Sequence, residues 1–239
     1  MCSRFTLNLG DAINLSKRLG IPLAATGETV DRFNIAPATS VTAFRHQPDR
    51  GAIEAASLHW GLVPSWTHED RSSSGPLINA RSETVPDKPS FRGPWRQRQR
   101  CAIPASGFYE WEKVGRARLP WLFAMSDRQP FAFAGLWDRW QDPVDDTVIE
   151  SCTVLTTTPN SLLARIHDRM PVLLDETSAP IWLDPQRAPA DAAALMRPFD
   201  ADRMTAVALD PYVNSTAHDD PACLTPRGET PGSQFDLGL

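Results

Sequence analysis

Residues 101–111 read Cys101-Ala102-Ile103-Pro104-Ala105-Ser106-Gly107-Phe108-Tyr109-Glu110-Trp111. Apolar and aromatic residues bounded by Pro, Ser and Gly are typical of short strands, and we predict strands at Cys101–Ile103 and Gly107–Trp111. Glu110 is the one carboxylate of this stretch. If it is buried, its pKa rises and it can exchange protons near neutral pH. If it lies on a strand edge facing solvent, it has no such role.

Short strands are also predicted on both sides of this stretch. They are Val41–Phe44, Ile53–Trp60, Trp121–Met125, Phe131–Trp137 and Cys152–Thr157. Helices are predicted at Asp11–Gly20, with Asp11 as N-cap, and at Asn160–Ile166, with a loop up to about Asn34. Because the strands do not alternate with long helices, we expect an α+β fold: one domain, residues 1–227, of mostly antiparallel barrel-like sheet with peripheral helices. The polar tail 228–239 is predicted to be disordered.

The composition limits the kind of protein this can be. The 239-residue chain has a net charge of −5, so any site for a polyanion must be a local basic patch. It has no apolar run of 18 residues and no secretory signal, which predicts no membrane association. The four cysteines (Cys2, Cys101, Cys152 and Cys223) form no C-x-x-C pair, which argues against a metal site and against disulfides. We therefore expect a cytoplasmic protein, with Cys101 and Cys152 as buried thiols.

Cys2 directly follows the initiator Met1. A small residue at position 2 permits removal of Met1, which would leave Cys2 with an α-amine and a thiol on neighbouring carbons. Their ordinary pKa values, about 7.7–8.0 and about 8.5, give both a nucleophilic fraction near neutral pH. Such an aminothiol condenses with an aldehyde to an imine and then closes a five-membered thiazolidine. Cys2 is therefore a candidate covalent catalyst, although a small residue at a frayed end is the simpler interpretation.

Three other polar groups have suitable chemistry. Asn79 offers donors and an acceptor, and Arg81 is a forked cation suited to phosphate; both follow an apolar pair and could equally be ordinary loop residues. His167 follows the second predicted helix and titrates in the range needed for acid–base catalysis, or it caps that helix.

Two further segments could contact nucleic acid. Four arginines (Arg92, Arg96, Arg98 and Arg100) surround Trp95, an arrangement typical of a groove that follows a single strand, or of a solvated cationic loop. Trp60 and Trp66 flank a Gly/Pro turn that is either a core corner or a stacking platform.

Together these segments resemble the SOS-response-associated peptidase family, also called abasic-site processing proteins. The matching blocks occur in the family's order from residue 2 to about residue 224. They are MCSRF (1–5), Asn34-Ile35-Ala36-Pro37-Ala38, WGLVPSW (60–66), LINARSET (77–84), CAIPASGFYEW (101–111), AFAGLWD (132–138), Thr156-Thr157-Thr158-Pro159-Asn160, IHDRMPVLL (166–174), Val213-Asn214-Ser215 and Asp219-Asp220-Pro221. The family more often has Gly where this chain has Ser3, whose hydroxymethyl group could crowd the sugar.

The resemblance implies that the protein binds single-stranded DNA at abasic sites and cross-links to it, with lyase-type and autopeptidase activity. It makes Cys2 the nucleophile, places Asn79 and Glu110 around the thiazolidine, and gives His167 a role in proton transfer. Arg4, Arg81, Trp66 and Pro37 would contact DNA. It implies no cofactor and no metal, and a monomer that joins the nucleoid on damaged DNA.

Two other functions remain open. One is a cysteine peptidase or amidohydrolase that uses Cys2 with His167 as base. The other is a non-catalytic single-strand binder that rests on Trp66, Trp95 and the arginine cluster.

Overall fold

Five strands of the protein close into a barrel. The computed structural model describes residues 2–23, 30–47, 51–67 and 76–229. The strands are β1 Phe5–Leu7, β2 Arg32–Ile35, β3 Ser40–Gln47, β4 Ala52–Trp60, β5 Asn79–Arg81, β6 Arg100–Ala105, β7 Gly107–Val114, β8 Ala117–Met125, β9 Phe131–Gln141, β10 Val148–Thr157, β11 Met170–Pro171, β12 Leu173–Leu174 and β13 Met204–Ala208. Around the barrel the order is β10, β4, β3, β6, β9, and β9 pairs again with β10.

Most of the strand pairings are antiparallel, as the sequence predicts. Both parallel pairings involve β10. Its residues Ser151 and Cys152 pair with β4, and its residues 154–156 pair with the short strand β5. In the second pairing Asn79 lies opposite Val154 and Arg81 opposite Thr156. The parallel contact with β5 matters because it places Asn79 at the rim of the barrel.

A second sheet packs against the barrel, with strands in the order β13, β8, β7, β1, β2. Aromatic rings fill the space between the two layers: Phe108 of β7 stacks on Phe123 of β8 at 5.3 Å, and Phe5 of β1 meets Phe133 of the barrel edge-on at 5.4 Å. Each fully buried ring contributes about 1.5–3 kcal/mol. This packing fixes β1, and therefore the N-terminal residues that precede it, between β2 and β7.

The described residues form four α-helices outside the sheets: α1 Leu9–Leu19, α2 Pro89–Arg96, α3 Ser178–Leu183 and α4 Pro189–Ala193. The first helix differs from its prediction at one end. Its N-cap is Asn8, whose side chain accepts a hydrogen bond from Gly10 N, so the assignment of Asp11 as N-cap is wrong. Gly20 ends the helix in the left-handed conformation (φ 67°), as expected.

The helix predicted at Asn160–Ile166 is wrong, because this segment forms only a 3₁₀ turn, Leu163–Arg165. The Asn160 side chain accepts from Leu163 N and donates to Phe199 O, which anchors the turn and competes with a regular helix. Strand β2 forms at the end of the segment that is predicted to be a loop, and strands β1 and β5 and helix α2 form where the sequence predicts no regular element. The predicted tail is described only at residues 228–229, and residues 230–239 lie outside the described part.

No helix within the described residues is long and apolar enough to cross a membrane.

Candidate active site

Cys2 lies three residues before β1, the strand that is paired with β2 on one side and with β7 on the other. Phe5 pairs with Ile35 on one side and with Phe108 on the other, and Tyr109 N donates to Arg4 O at 3.0 Å. The antiparallel register therefore brings the residues before Phe5 alongside the stretch that follows Phe108, where Glu110 lies. The Cys2 side chain is completely buried, and its Sγ donates weakly to Arg4 O at 3.9 Å.

Asn79 joins the barrel to the N-terminal segment. Its Nδ2 donates to Cys2 O at 2.7 Å. Its Oδ1 is buried and accepts no hydrogen bond from the described part of the chain. A buried amide oxygen without a donor costs about 1–3 kcal/mol, so this acceptor is suited to a donor supplied by the reaction, such as an amine or a hydroxyl.

The Glu110 carboxyl has the protonation behaviour of a general acid–base group. The residue is 2% exposed, in the apolar aromatic surroundings that the sequence predicts. Burial raises the pKa of its carboxyl to about 7, and the negative charge of Asp168 acts in the same direction. Near neutral pH both protonation states are therefore populated, which a carboxyl needs if it is to donate a proton in one step and accept one in another.

The Cys2 thiol differs from the sequence-based expectation. Burial raises its pKa well above the ordinary value, and the charge of Glu110 raises it further. The expectation that part of the Cys2 thiol is ionised near neutral pH is therefore wrong for the buried side chain. Its proton must be transferred to another group in the step in which sulfur attacks.

His167 follows the 3₁₀ turn and is held by its own loop. Its Nδ1 accepts a hydrogen bond from Arg169 N at 3.0 Å, so the neutral ring carries its proton on Nε2. Burial lowers the pKa of the ring, which favours this neutral form at pH 7. Asp168 Oδ1 also lies 3.0 Å from Nδ1, but its side chain is 85% exposed and hydrated, so the backbone N–H is the stronger partner.

Arg169 fixes this loop to β10 and to the segment that follows β5, a role that its sequence motif does not indicate. It forms a two-pronged salt bridge with Glu83 (2.7 and 2.9 Å) and donates to Thr156 O at 2.6 Å. A bidentate pair of this kind sets the relative orientation of the two segments. In the sequence Arg169 and Glu83 lie in two separate motifs, and no local pattern indicates that they form a pair.

Arg4 and Arg81, both expected to hold phosphates, have different surroundings. Arg81 is exposed, and its side chain makes no hydrogen bond or ion pair within the described ranges. Arg4 is half-buried: it donates to Asn34 Oδ1 at 2.8 Å and to Val213 O at 3.2 Å, and it lies over the Trp111 ring. Arg81 is thus available to a ligand, whereas Arg4 also braces the start of β1.

The two tryptophans of the Gly/Pro turn separate into one core residue and one surface residue. Trp60 is fully buried, whereas Trp66 is 57% exposed. Trp66 lines a shallow cavity of about 390 Å³ together with Pro89, Arg92 and Arg96. A flat ring beside two exposed guanidinium groups can stack on a base and bind its phosphate. Pro37, in the turn after β2, is half-buried.

The arginine cluster is only partly a surface feature. Arg100 is 2% exposed and donates to Trp182 O at 2.7 Å and to Asp184 O at 2.6 Å. Trp95 is buried beside Trp182. The expectation that Arg100 and Trp95 line a nucleic-acid groove is therefore wrong, because both belong to the packing between α2, α3 and the barrel. Arg98 is exposed and donates to Pro185 O.

The other cysteines are structural. Cys101 and Cys152 are fully buried in barrel strands, as predicted, and Cys223 is buried near the C-terminal end of the described chain. Within the described residues no three His, Cys, Asp or Glu side chains gather in a way that could hold a metal ion. A separate cavity of about 570 Å³, lined in part by His59 and Leu62, includes none of the predicted catalytic residues.

These features define a class of protein: a β-barrel protein with a buried cysteine near its N-terminus, held by an amide and placed near a carboxyl of raised pKa. The chain belongs to the SOS response associated peptidase (SRAP) family, whose model matches residues 1–216.

Curated relatives have similar sequences over most of the chain. The abasic site processing protein YoqW of Bacillus subtilis is 35% identical over 92% of this chain and 97% of its own length. The abasic site processing protein HMCES of Gallus gallus is 32% identical over 71% of this chain and 56% of its own.

Solved structures confirm the fold. A crystal structure of a protein from Bacteroides thetaiotaomicron has a TM-score of 0.81 and 26% identity over 94% of this chain and 99% of that one. A second, from Bordetella bronchiseptica, has a TM-score of 0.74 and 29% identity over 87% of this chain and 100% of that one.

Proposed function

We propose that this protein processes abasic sites: it binds single-stranded DNA and captures the aldehyde of the abasic sugar on Cys2, after Met1 is removed. The observation that carries the proposal is the arrangement at Cys2, where Asn79 holds the backbone carbonyl and Glu110 supplies a carboxyl with a pKa of about 7. The names of the relatives, abasic site processing proteins, point to the same substrate.

The reaction begins with the closed abasic sugar. Its ring oxygen must gain a proton and its C1′ hydroxyl must lose one before the aldehyde is exposed. Protonated Glu110 is the donor for the ring oxygen, because at neutral pH about half of a carboxyl with a pKa near 7 carries a proton. His167, neutral with its proton on Nε2, assists the transfers.

Cross-linking then takes two bond-forming steps. The α-amine of Cys2 adds to C1′, and loss of one water gives an imine. The Cys2 sulfur adds to the same carbon, the thiol proton leaves sulfur, and the imine nitrogen gains a proton. The net reaction is aldehyde plus aminothiol to thiazolidine plus water, with no change of oxidation state. Glu110 in its carboxylate form is the acceptor for the thiol proton.

The amide of Asn79 positions the nucleophile. Nδ2 already holds Cys2 O, and the buried Oδ1 is the acceptor for the amine or for the sugar hydroxyl. Around the site, the exposed Arg81 and the ring of Trp66 contact the DNA on either side of the lesion. Arg4 and Pro37 complete the expected DNA contacts, and the acting form is a monomer.

Incubation with an oligonucleotide that carries one abasic site, followed by a denaturing gel, tests the proposal. The wild type should give a covalent shift, and Cys2→Ala should give none. Cys101→Ala, which removes a buried thiol from the barrel wall, is the matched control and should cross-link like the wild type. Cross-linking by Cys2→Ala at the wild-type rate would refute the proposal.

A thiol peptidase is the second candidate, because the SRAP family is named for a peptidase. The buried, protonated Cys2 thiol hydrogen-bonds to Arg4 O, a backbone carbonyl that cannot act as its base. A peptide substrate cleaved without any shift on the gel would favour the peptidase. DNA binding that is lost when the protein is denatured, with no covalent shift, would favour a non-catalytic single-strand binder.

A further inference from the structure

The β7–β8 hairpin continues the strand that carries Glu110 away from the site and ends in a run of cations. The run is Lys113-Val114-Gly115-Arg116-Ala117-Arg118, with three cations and no acid in a chain whose net charge is −5. Residues 113–118 are all exposed. The side chains of Lys113, Arg116 and Arg118 make no hydrogen bond or ion pair with the residues that the structure describes.

The hairpin is built to hold these cations in place. Lys113 lies directly opposite Arg118, and Val114 opposite Ala117. The two-residue turn has Gly115 at its first position with φ 59°, a conformation that glycine adopts without strain. The register is therefore fixed, and two cations project from the same face of the hairpin.

The base of the hairpin is braced against the C-terminal part of the chain. Trp111 Nε1 donates to Asn214 Oδ1 at 2.6 Å, and Asn214 Nδ2 donates to Arg118 O at 3.3 Å. The Trp111 ring also lies under Arg4, at the start of the strand that leads from Cys2. The hairpin thus holds a set position relative to the reactive residue.

The hairpin is close enough to the site to act on the same ligand. Lys113 follows Glu110 by three residues, which is about 10 Å along a strand. Burial is the main cause of the lowered pKa of His167, and the positive charge of Lys113 also lowers it. A strand of DNA whose abasic sugar lies at Cys2, and which continues along β7, would come within reach of the hairpin on one side of the lesion.

We propose that the β7–β8 hairpin is a second DNA-contact surface, which binds phosphates of the strand flanking the abasic site through Lys113, Arg116 and Arg118. This rests on the proposed function, since it takes the substrate to be abasic DNA. Because the rest of the chain is acidic, these three cations supply a distinct share of the phosphate contacts. They hold the DNA on one side of the lesion, whereas Arg81 and Trp66 contact other nucleotides of the same strand.

Binding without chemistry isolates this contribution. The probes are fluorescent oligonucleotides with a tetrahydrofuran abasic analogue, which has no aldehyde, at the 5′ end, the middle or the 3′ end. Lys113→Ala should weaken binding about threefold, and the triple alanine variant about tenfold. The salt dependence of log K should flatten by about 0.7 for each cation removed. The losses should appear only with oligonucleotides that extend on one side of the lesion.

Three controls make the result decisive. Lys17→Ala removes an exposed cation on α1 and should bind like the wild type. Lys113→Arg keeps the charge and should retain affinity. The triple variant should keep the wild-type urea midpoint, which separates a loss of phosphate contacts from a loss of folding.

Wild-type affinity and salt slope in the triple variant would overturn the hairpin proposal, as would an equal loss on all three oligonucleotides. Failure of the wild type to cross-link abasic DNA would instead refute the proposed function.

Discussion

Replacing Glu110 with glutamine should stabilise the protein and slow its reaction at the same time. Glu110 is buried, and its carboxyl pKa is about 7 against an ordinary value of 4.5. This difference corresponds to at most about 3 kcal/mol of folding free energy. Because the folded state holds the proton more tightly than the unfolded state, wild-type stability falls as pH rises from about 4.5 to about 7. The glutamine amide of the variant does not ionise, so its stability lacks this dependence on pH.

The stability of the Glu110→Gln variant should therefore exceed that of the wild type by as much as about 3 kcal/mol at pH 8, with little difference at pH 4.5. Urea unfolding at both pH values measures this. Single-turnover cross-linking should slow by at least tenfold, since a general acid–base group contributes about 10²–10⁴-fold. The limb of the pH–rate profile that reports the carboxyl should flatten.

Glu112→Gln is the matched control on the same strand. Glu112 is half-buried and accepts from Trp121 Nε1, a bond that the amide oxygen of glutamine also accepts. It should leave the cross-linking rate unchanged. The reasoning fails if Glu110→Gln cross-links at the wild-type rate, or if its stability advantage is the same at pH 4.5 and pH 8.

Three further predictions concern other parts of the site. His167→Ala should slow single-turnover cross-linking at least tenfold with nearly unchanged DNA affinity; a loss of affinity at an intact rate would make it a DNA-positioning residue. Arg81→Ala should flatten the salt dependence of single-strand binding by about 0.7, and a salt-independent wild type would contradict this. Trp66→Ala should weaken binding by about 1–3 kcal/mol without changing that slope, and wild-type affinity in this variant would contradict the stacking role. Arg100→Ala should destabilise folding by about 3 kcal/mol because it leaves buried carbonyls without donors, whereas Arg96→Ala should leave the urea midpoint unchanged and weaken DNA binding; the reverse pattern would contradict the burial of Arg100.

The sequence predicts what is local. The strands at Phe131–Trp137 and Ile53–Trp60 are recognisable because apolar and β-branched residues persist between turn signals, and Gly20 ends its helix for a reason that involves only its own backbone. For Glu110 the local sequence leaves burial and solvent exposure both open, and the structure shows that it is buried.

Non-local contacts account for what the sequence did not predict. Arg100 is buried because carbonyls of Trp182 and Asp184, more than 80 residues away, accept its donors. Asn79 reaches Cys2 only because β5 runs parallel to β10, a pairing that no local pattern indicates. The high pKa of the Cys2 thiol also depends on complete burial by distant strands.

The central claim is that both the amine and the sulfur of Cys2 bond to the abasic sugar. The most direct test is mass spectrometry of the adduct, digested with nuclease and trypsin and treated with iodoacetamide. We predict a peptide that begins at Cys2 and ends at Arg4, carries the sugar remnant and resists alkylation, because a thiazolidine has neither a free thiol nor a primary amine. An adduct on another residue, or a sugar-bearing peptide that retains Met1 or is still alkylated at Cys2, would contradict the account.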